Sequence, residues 1–276
     1  MALIPFLKLW LWVSAFASAA GWILSALGQL NHSGYAVLFA AFAVFVFFFR
    51  QELGFDCGSL ISGWRKFLRR LRRPLPLCFV ALALLIFIGG ALYPPTQYTA
   101  LNYRFERVLQ WLAHGQWWWI HSPNPRLNTR GCGIEWMTAP LLLFTRSDRA
   151  LFLLNFIPFL LLPGLIFSVF TRLGVRARVA WQWMWLLPTG YTFIIQAGST
   201  ANDAFPTVYA LAAMYFAARA WVSRRPADVW HSILAAALLV GAKPGNLPLL
   251  LPWALLGFAL LPLLWRRPVV SVLVVL

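Results

Sequence analysis

The sequence predicts an all-α polytopic membrane protein, and three observations predict it. Hydrophobic residues make up 61% of the 276-residue chain and charged residues 11%, with a mean hydropathy of +0.73, whereas a soluble domain carries roughly 25% charged residues. The apolar residues gather in runs close to the roughly 20 residues that a helix needs to cross the hydrocarbon core. The basic residues fall between those runs, in alternate loops, as topology signals do.

In chain order the predicted spans are Leu9–Leu27, Tyr35–Phe49, Leu75–Tyr93, Ala150–Phe170, Val179–Ile195, Ala204–Val222, a short run Ile233–Ala242, and Leu247–Trp265. The first run lacks the small-residue cleavage site of a signal peptide and is read as a span. A further run begins at Pro268 and stops at Leu276, which predicts a truncated reading frame.

Orientation follows from the basic residues. Arg50, Arg65, Lys66, Arg69, Arg70, Arg72 and Arg73 follow the second span, and Arg172/Arg176/Arg178, Arg224/Arg225 and Arg266/Arg267 occupy the other alternate loops. Lys and Arg are retained on the cytoplasmic side, so the amino terminus is expected inside and the segments 94–149 and 198–203 outside. The net charge of +16 is thereby read as orientation and lipid-headgroup attraction, with no nucleic-acid partner. Cys57, Cys78 and Cys132 show neither CxxC nor metal spacing, so no disulfide or zinc site is expected.

The long segment 94–149 holds six arginines that the topology rule does not explain. Within it, Phe105, Val108, Leu109 and Leu112 recur at helical spacing, with Arg104, Arg107, Trp111 and His114 on a neighbouring face, which predicts an amphipathic interfacial helix. Trp117, Trp118 and Trp119 at its end suit the headgroup belt. Arg104, Arg107, Arg126 and Arg130 form a candidate site for an anionic headgroup, because a guanidinium fork binds phosphate bidentately. Against this stands a merely structural interfacial helix.

Two other polar segments lie among the spans. Gly198-Ser-Thr-Ala-Asn-Asp203 puts a carboxylate at the mouth of a span, and Ala242-Lys-Pro-Gly-Asn246 interrupts an apolar region. Ionisable groups at such depth usually face a cavity or a partner. Helix capping by Asp203 and snorkelling by Lys243 are the plainer readings.

Taken together, the Tyr93-Pro-Pro-Thr96 span end, Tyr103-Arg-Phe-Glu-Arg-Val-Leu-Gln-Trp-Leu112, Asn202-Asp203 and Gly241-Ala-Lys243 resemble the bacterial glycosyltransferases of the GT-C superfamily, relatives of protein O-mannosyltransferases and aminoarabinose transferases. The similarity covers about Leu77 to Trp253, which implies that 1–74 is an amino-terminal two-span extension with a basic linker and 75–276 the GT-C-like transmembrane core, incomplete at its carboxyl end. It implies a GT-C-like transmembrane bundle whose first outer loop carries interfacial helices, in the cytoplasmic (inner) membrane. The implied activity is sugar transfer, with inversion, from a polyprenyl-phosphate-linked donor to a lipid or glycan acceptor of the cell envelope. In such enzymes a loop carboxylate is the general base and basic residues hold the leaving phosphate, so Arg104, Arg107, Arg130 and Lys243 are the implied phosphate ligands. Many relatives also bind a divalent metal ion, though no compact ligand spacing here requires one.

One departure bears on activity. Relatives read approximately Asn-Trp-Asp-x-x-x-Tyr-His/Arg, and their aspartate falls here on Thr99, whose hydroxyl cannot act as the base. The candidate replacements are Asp203 and Glu106, then Glu135 in Gly133-Ile-Glu-Trp136. The alternative reading is a catalytically silent GT-C-like protein that binds a lipid phosphate or scaffolds an envelope complex. A transporter is a weaker third, because the polar residues cluster at one face rather than along a path.

Overall fold

The computed structural model describes residues 3–49, 68–201 and 204–258. Among them the chain is helical without strands, and three helices are long and apolar enough to cross a membrane: α1 (Leu3–Ala26), α3 (Pro74–Leu92) and α7 (Leu153–Arg172). The other apolar helices are α2 (His32–Phe48), α8 (Ala177–Leu186), α9 (Tyr191–Ala197), α10 (Thr207–Ser223), α11 (Pro226–Ala242) and α12 (Leu251–Phe258). Between α3 and α7 the chain forms a π-helical turn at Ala100–Arg104, then α4 (Phe105–His114), the single turn α5 (Arg126–Thr129) and α6 (Gly133–Thr145). The described chain is therefore a helical membrane protein with an elaborate connection over 93–152.

Local chemistry sets the boundaries. Asn31 caps α2, its side chain accepting from the Gly34 amide at 2.9 Å, which satisfies one of the free donors of the first turn. Proline opens α3 and α11 in the first-turn positions it tolerates. Gly115, at φ 72°, closes α4 in the left-handed conformation that favours glycine. The span expected over Val179–Ile195 is divided at Leu187–Thr189 into α8 and α9. The reason is Pro188, which supplies no amide to the helix, followed by extended Gly190.

The main core is built on α10. Val208, Tyr209, Ala212, Ala213, Tyr215, Phe216, Ala217 and Ala220 are all buried, and the small alanines let α11 approach closely. Two chains of hydrogen bonds satisfy polar groups inside the core, as an apolar environment favours. The Tyr209 hydroxyl donates to Ser14 at 2.7 Å, and Ser14 donates to the Trp10 carbonyl. Trp253 Nε1 donates to Ser232, which in turn donates to the Ala213 carbonyl.

The boundary at 74 does not separate two cores. Leu7, Trp10, Leu11 and Ala17 of α1 are buried in the same cluster as α3, α7 and α10. A second cluster joins Leu24 of α1, Leu30 and Tyr35 to Tyr103, Val108, Trp111, Ile120, Leu127 and Trp136. That cluster fixes the 93–152 connection to one end of the bundle. At the other end, Arg70 and Arg73 stand over Trp181, Arg172 stands over Tyr215, and Arg219 pairs with Asp228 at 3.1 Å.

Candidate functional site

The amphipathic segment folds with its arginine face inward. On α4 and the preceding turn, Arg104, Arg107, Val108 and Trp111 are buried while Leu109 is 54% exposed. These four lie at the three- and four-residue spacing of a single helix face. Of the apolar face proposed from the sequence, Val108 is buried and Leu112 packs against the same cluster while Leu109 is exposed, because the packed face is turned toward the arginines, which find partners inside the protein.

Those partners define the site. Arg107 is 1% exposed, and its Nη2 lies 2.5 Å from Glu135 Oε1. It also donates to the carbonyls of Arg130 and Gly131 at 2.9 and 2.6 Å. Its guanidinium is flanked by the rings of Tyr103 and Trp111 at 5.6 and 5.4 Å. Trp111 stacks on Trp136 with centroids 4.9 Å apart. Arg104 lies 3.9 Å from the same Glu135 oxygen and donates to the Thr200 carbonyl at 3.0 Å. One carboxylate on α6 therefore holds both arginines, and they hold the 130–131 backbone and the 198–201 turn.

A pair sealed from water is strong only when its hydrogen-bonding groups are used. Beside it, lined by Arg104, Ile134, Glu135, Thr138 and Thr200, is a cavity of about 10 Å³, the room that one water molecule takes. Glu135 Oε2 and Thr200 Oγ1 are buried there without a hydrogen-bond partner among the described residues. A water fits this space and a sugar does not.

Two further contacts converge on the same place. Gly131 and Gly133 lie against the carboxyl end of α11, where a Cβ on Gly133 would stand 2.8 Å from the Gly241 carbonyl oxygen and 2.9 Å from Ala242 Cα. Only glycine permits that approach, and through it the connection backs onto Gly241, Ala242 and Pro244, next to half-buried Lys243. The 198–201 turn is held from the bundle side by Asn155, whose Nδ2 donates to the Ser199 and Ala201 carbonyls at 2.9 and 2.5 Å. Gln196 Oε1 accepts from the Ala204 amide at 2.5 Å.

The other candidates stand apart from this knot. Glu106 is exposed and accepts from Gln110 at 3.3 Å, off the buried face of α4 that carries Arg104, Arg107 and Trp111. Thr99 is half-buried immediately before the π-helical turn, a form of helix frequent at functional sites. The Arg130 and Arg126 side chains are exposed. Asp203 and its neighbour Asn202 lie outside the described residues, as does Cys57. Burial pushes the Cys132 thiol up to about 11, with Arg107 pulling it down and Glu135 pushing it up to a smaller extent.

Sequence reasoning overlooked Asn155, Thr200 and Gln196. Asn155 was detectable, being an amide in the otherwise apolar run Leu153-Leu-Asn-Phe-Ile157, the kind of intramembrane polar residue that marks a function or a partner. Among the described residues no group of three His, Cys, Asp or Glu could hold a metal ion. The residues described do not fit the divalent ion that the resemblance implies, so no step is routed through one. No family model, curated protein sequence or solved structure matches the chain.

Proposed function

We propose that this protein is a membrane glycosyltransferase that moves a sugar from a polyprenyl-phosphate donor to a lipid or glycan acceptor at the outer face of the cytoplasmic membrane. One observation supports this reading above others. Of the segments that carry the resemblance, 103–112 is joined through Arg104 to Thr200, two residues before Asn202-Asp203, and through the Arg107 bonds to the 130–131 carbonyls and the Gly131 and Gly133 contacts to Gly241. Polar chemistry gathered at one end of an apolar bundle suits a reaction at a membrane surface.

In this reading the buried residues position and the exposed ones react. Arg107 and Glu135 fix the loop, and Arg104 fixes the turn that leads to Asp203. Arg130 and Lys243 flank the Gly131–Pro244 contact and take the donor phosphate, neutralising the charge that develops as the glycosyl bond breaks. Asp203 or Glu106 takes the acceptor proton. Glu135, sealed beside a one-water cavity, is left to structure. The alternative, a silent lipid-phosphate binder or scaffold, draws on Thr99 standing where relatives have an aspartate.

Thr99→Asp separates the two. If the donor and acceptor sites are intact, a base restored there raises transfer from a labelled polyprenyl-phosphate sugar by up to about 10²–10⁴-fold, the usual worth of a positioned general base. If wild type already transfers well, Asp203→Asn or Glu106→Gln abolishes it and Thr99→Asp adds nothing. No transfer by wild type or Thr99→Asp, with folded protein that still binds the lipid, leaves the silent reading.

The proposed orientation makes a separate prediction. An impermeant thiosulfonate on intact cells labels Cys132 and not Cys57. Only the thiolate reacts, so with the Cys132 thiol pushed up to about 11 its rate climbs about tenfold per pH unit from about pH 7 to about pH 10. An ordinary thiol would level off near 9.0. Labelling of Cys57 under these conditions reverses the orientation.

A further inference from the structure

At the end of the bundle opposite the 93–152 connection, exposed arginines surround one indole. Arg70 and Arg73, just before α3, place their guanidinium carbons 5.4 and 5.3 Å from the centroid of Trp181 on α8. Arg178 lies three residues before Trp181 on the same helix, so it shares that face, and Arg176 caps the helix. All four arginines are exposed, as are Arg69 and Arg72 beside them. No acidic residue occurs in 68–92 or 170–187, so no carboxylate in either segment neutralises the group.

The underside of this patch is apolar. Trp181 packs edge-on against Trp185, and Trp185 against Phe79 of α3, which fixes α8 beside α3. Leu77 (55%) and Leu84 (58%) on α3 and Val179 and Trp183 on α8 are exposed as well, on the sides of the two helices turned away from the Trp185–Phe79 contact. The arginines thus crown two packed helices whose outer surfaces are apolar. Aromatic faces hold guanidinium groups in place while leaving their N–H donors free for an anion.

We infer that Arg70, Arg73, Arg178 and Trp181 form a binding site for one anionic glycerophospholipid, its phosphate held by the arginines and its acyl chains lying along α3 and α8. Charge complementarity selects that occupant: a bilayer supplies both the negative headgroup and the chains, and juxtamembrane arginines are drawn to an anionic surface. The site is independent of the proposed sugar transfer. The 19 residues of α3 separate it from the connection by about 28 Å at a helix's rise per residue.

Native mass spectrometry of the purified full chain, reconstituted with phosphatidylglycerol or with phosphatidylcholine, tests it. The expected result is one retained phosphatidylglycerol and no retained phosphatidylcholine, with affinity reduced about tenfold or more in Arg70→Ala/Arg73→Ala. Arg224→Ala/Arg225→Ala, which removes equal charge at the same end of the bundle, keeps the lipid. Equal loss in both double variants, or retention of both lipids alike, overturns the site in favour of diffuse attraction. Displacement of phosphatidylglycerol by millimolar inorganic phosphate overturns it in favour of a free-phosphate site.

Discussion

Replacing Glu135 with Ala is expected to destabilise the protein by about 3–5 kcal/mol, the cost of leaving a buried charge without its partner. Arg107 stays 1% exposed with its carboxylate gone, and the two carbonyls at 130 and 131 cannot neutralise it. Glu135→Gln keeps the shape and loses the charge, so it falls in the same direction. The double variant Arg107→Met/Glu135→Met removes both charges and is expected to recover much of the loss, since apolar replacements of a buried pair are often close to neutral. Chemical unfolding in detergent reads the series. Glu135→Ala at wild-type stability would show that the pair is not closed in solution and that the loop is not anchored as described.

Gly133→Val is the second large effect. The new side chain meets backbone atoms of Gly241 and Ala242, the former at 2.8 Å from Cβ, and backbone cannot swing aside as a flexible side chain can. Overpacking of this kind costs about 1–3 kcal/mol, and here the strain is relieved by moving the connection away from the end of α11. The expected result is a protein that still folds but binds the polyprenyl-phosphate donor weakly, because Arg130 and Lys243 no longer flank a closed contact. Gly174→Ala, at a turn with nothing within 4 Å of its Cβ but a φ of +88°, serves as a comparison in which backbone strain arises away from the site. Donor affinity lost in Gly133→Val and retained in Gly174→Ala assigns the effect to the contact.

The sequence and the fold agree where periodicity and breakers decide, and part where long-range pairing does. The positions of the long spans, the break after Ala242 and the presence of a helix after Ala100 could be read from apolar runs and from Pro244-Gly245. The buried face of α4 could not. An amphipathic pattern counts arginine as a surface residue, whereas Arg104 and Arg107 turn inward because Glu135 and two stretches of backbone await them. Nothing local in 103–112 announces a carboxylate on α6. Likewise hydropathy does not tell a lipid-facing helix from a core helix, and the run that forms α1 gives no sign that Ser14 receives a hydrogen bond from Tyr209 inside the bundle. The division of Val179–Ile195 was legible in Pro188 and Gly190, and composition alone concealed it.

The site shows the same division. Thr99, Glu106, Glu135, Arg104, Arg107, Arg130 and Lys243 were identifiable as polar groups in or beside the 93–152 connection, but their roles depend on burial. Glu135 is sealed and Glu106 is open, a difference of environment that two glutamates in a polar segment do not reveal. Asn155 and Thr200, which hold the turn before Asp203, act through a side-chain amide and a backbone carbonyl, and a carbonyl leaves no trace in sequence.

The most direct measurement is to reconstitute the full chain with a labelled polyprenyl-phosphate sugar and native membranes as the acceptor source, and to follow release of free polyprenyl phosphate together with the appearance of label in a new product. The account predicts both in equal amounts, abolished in Lys243→Ala/Arg130→Ala while the protein remains folded. Donor lipid that binds and is recovered unchanged, with no labelled product across the polyprenyl-phosphate sugars tried, would contradict it.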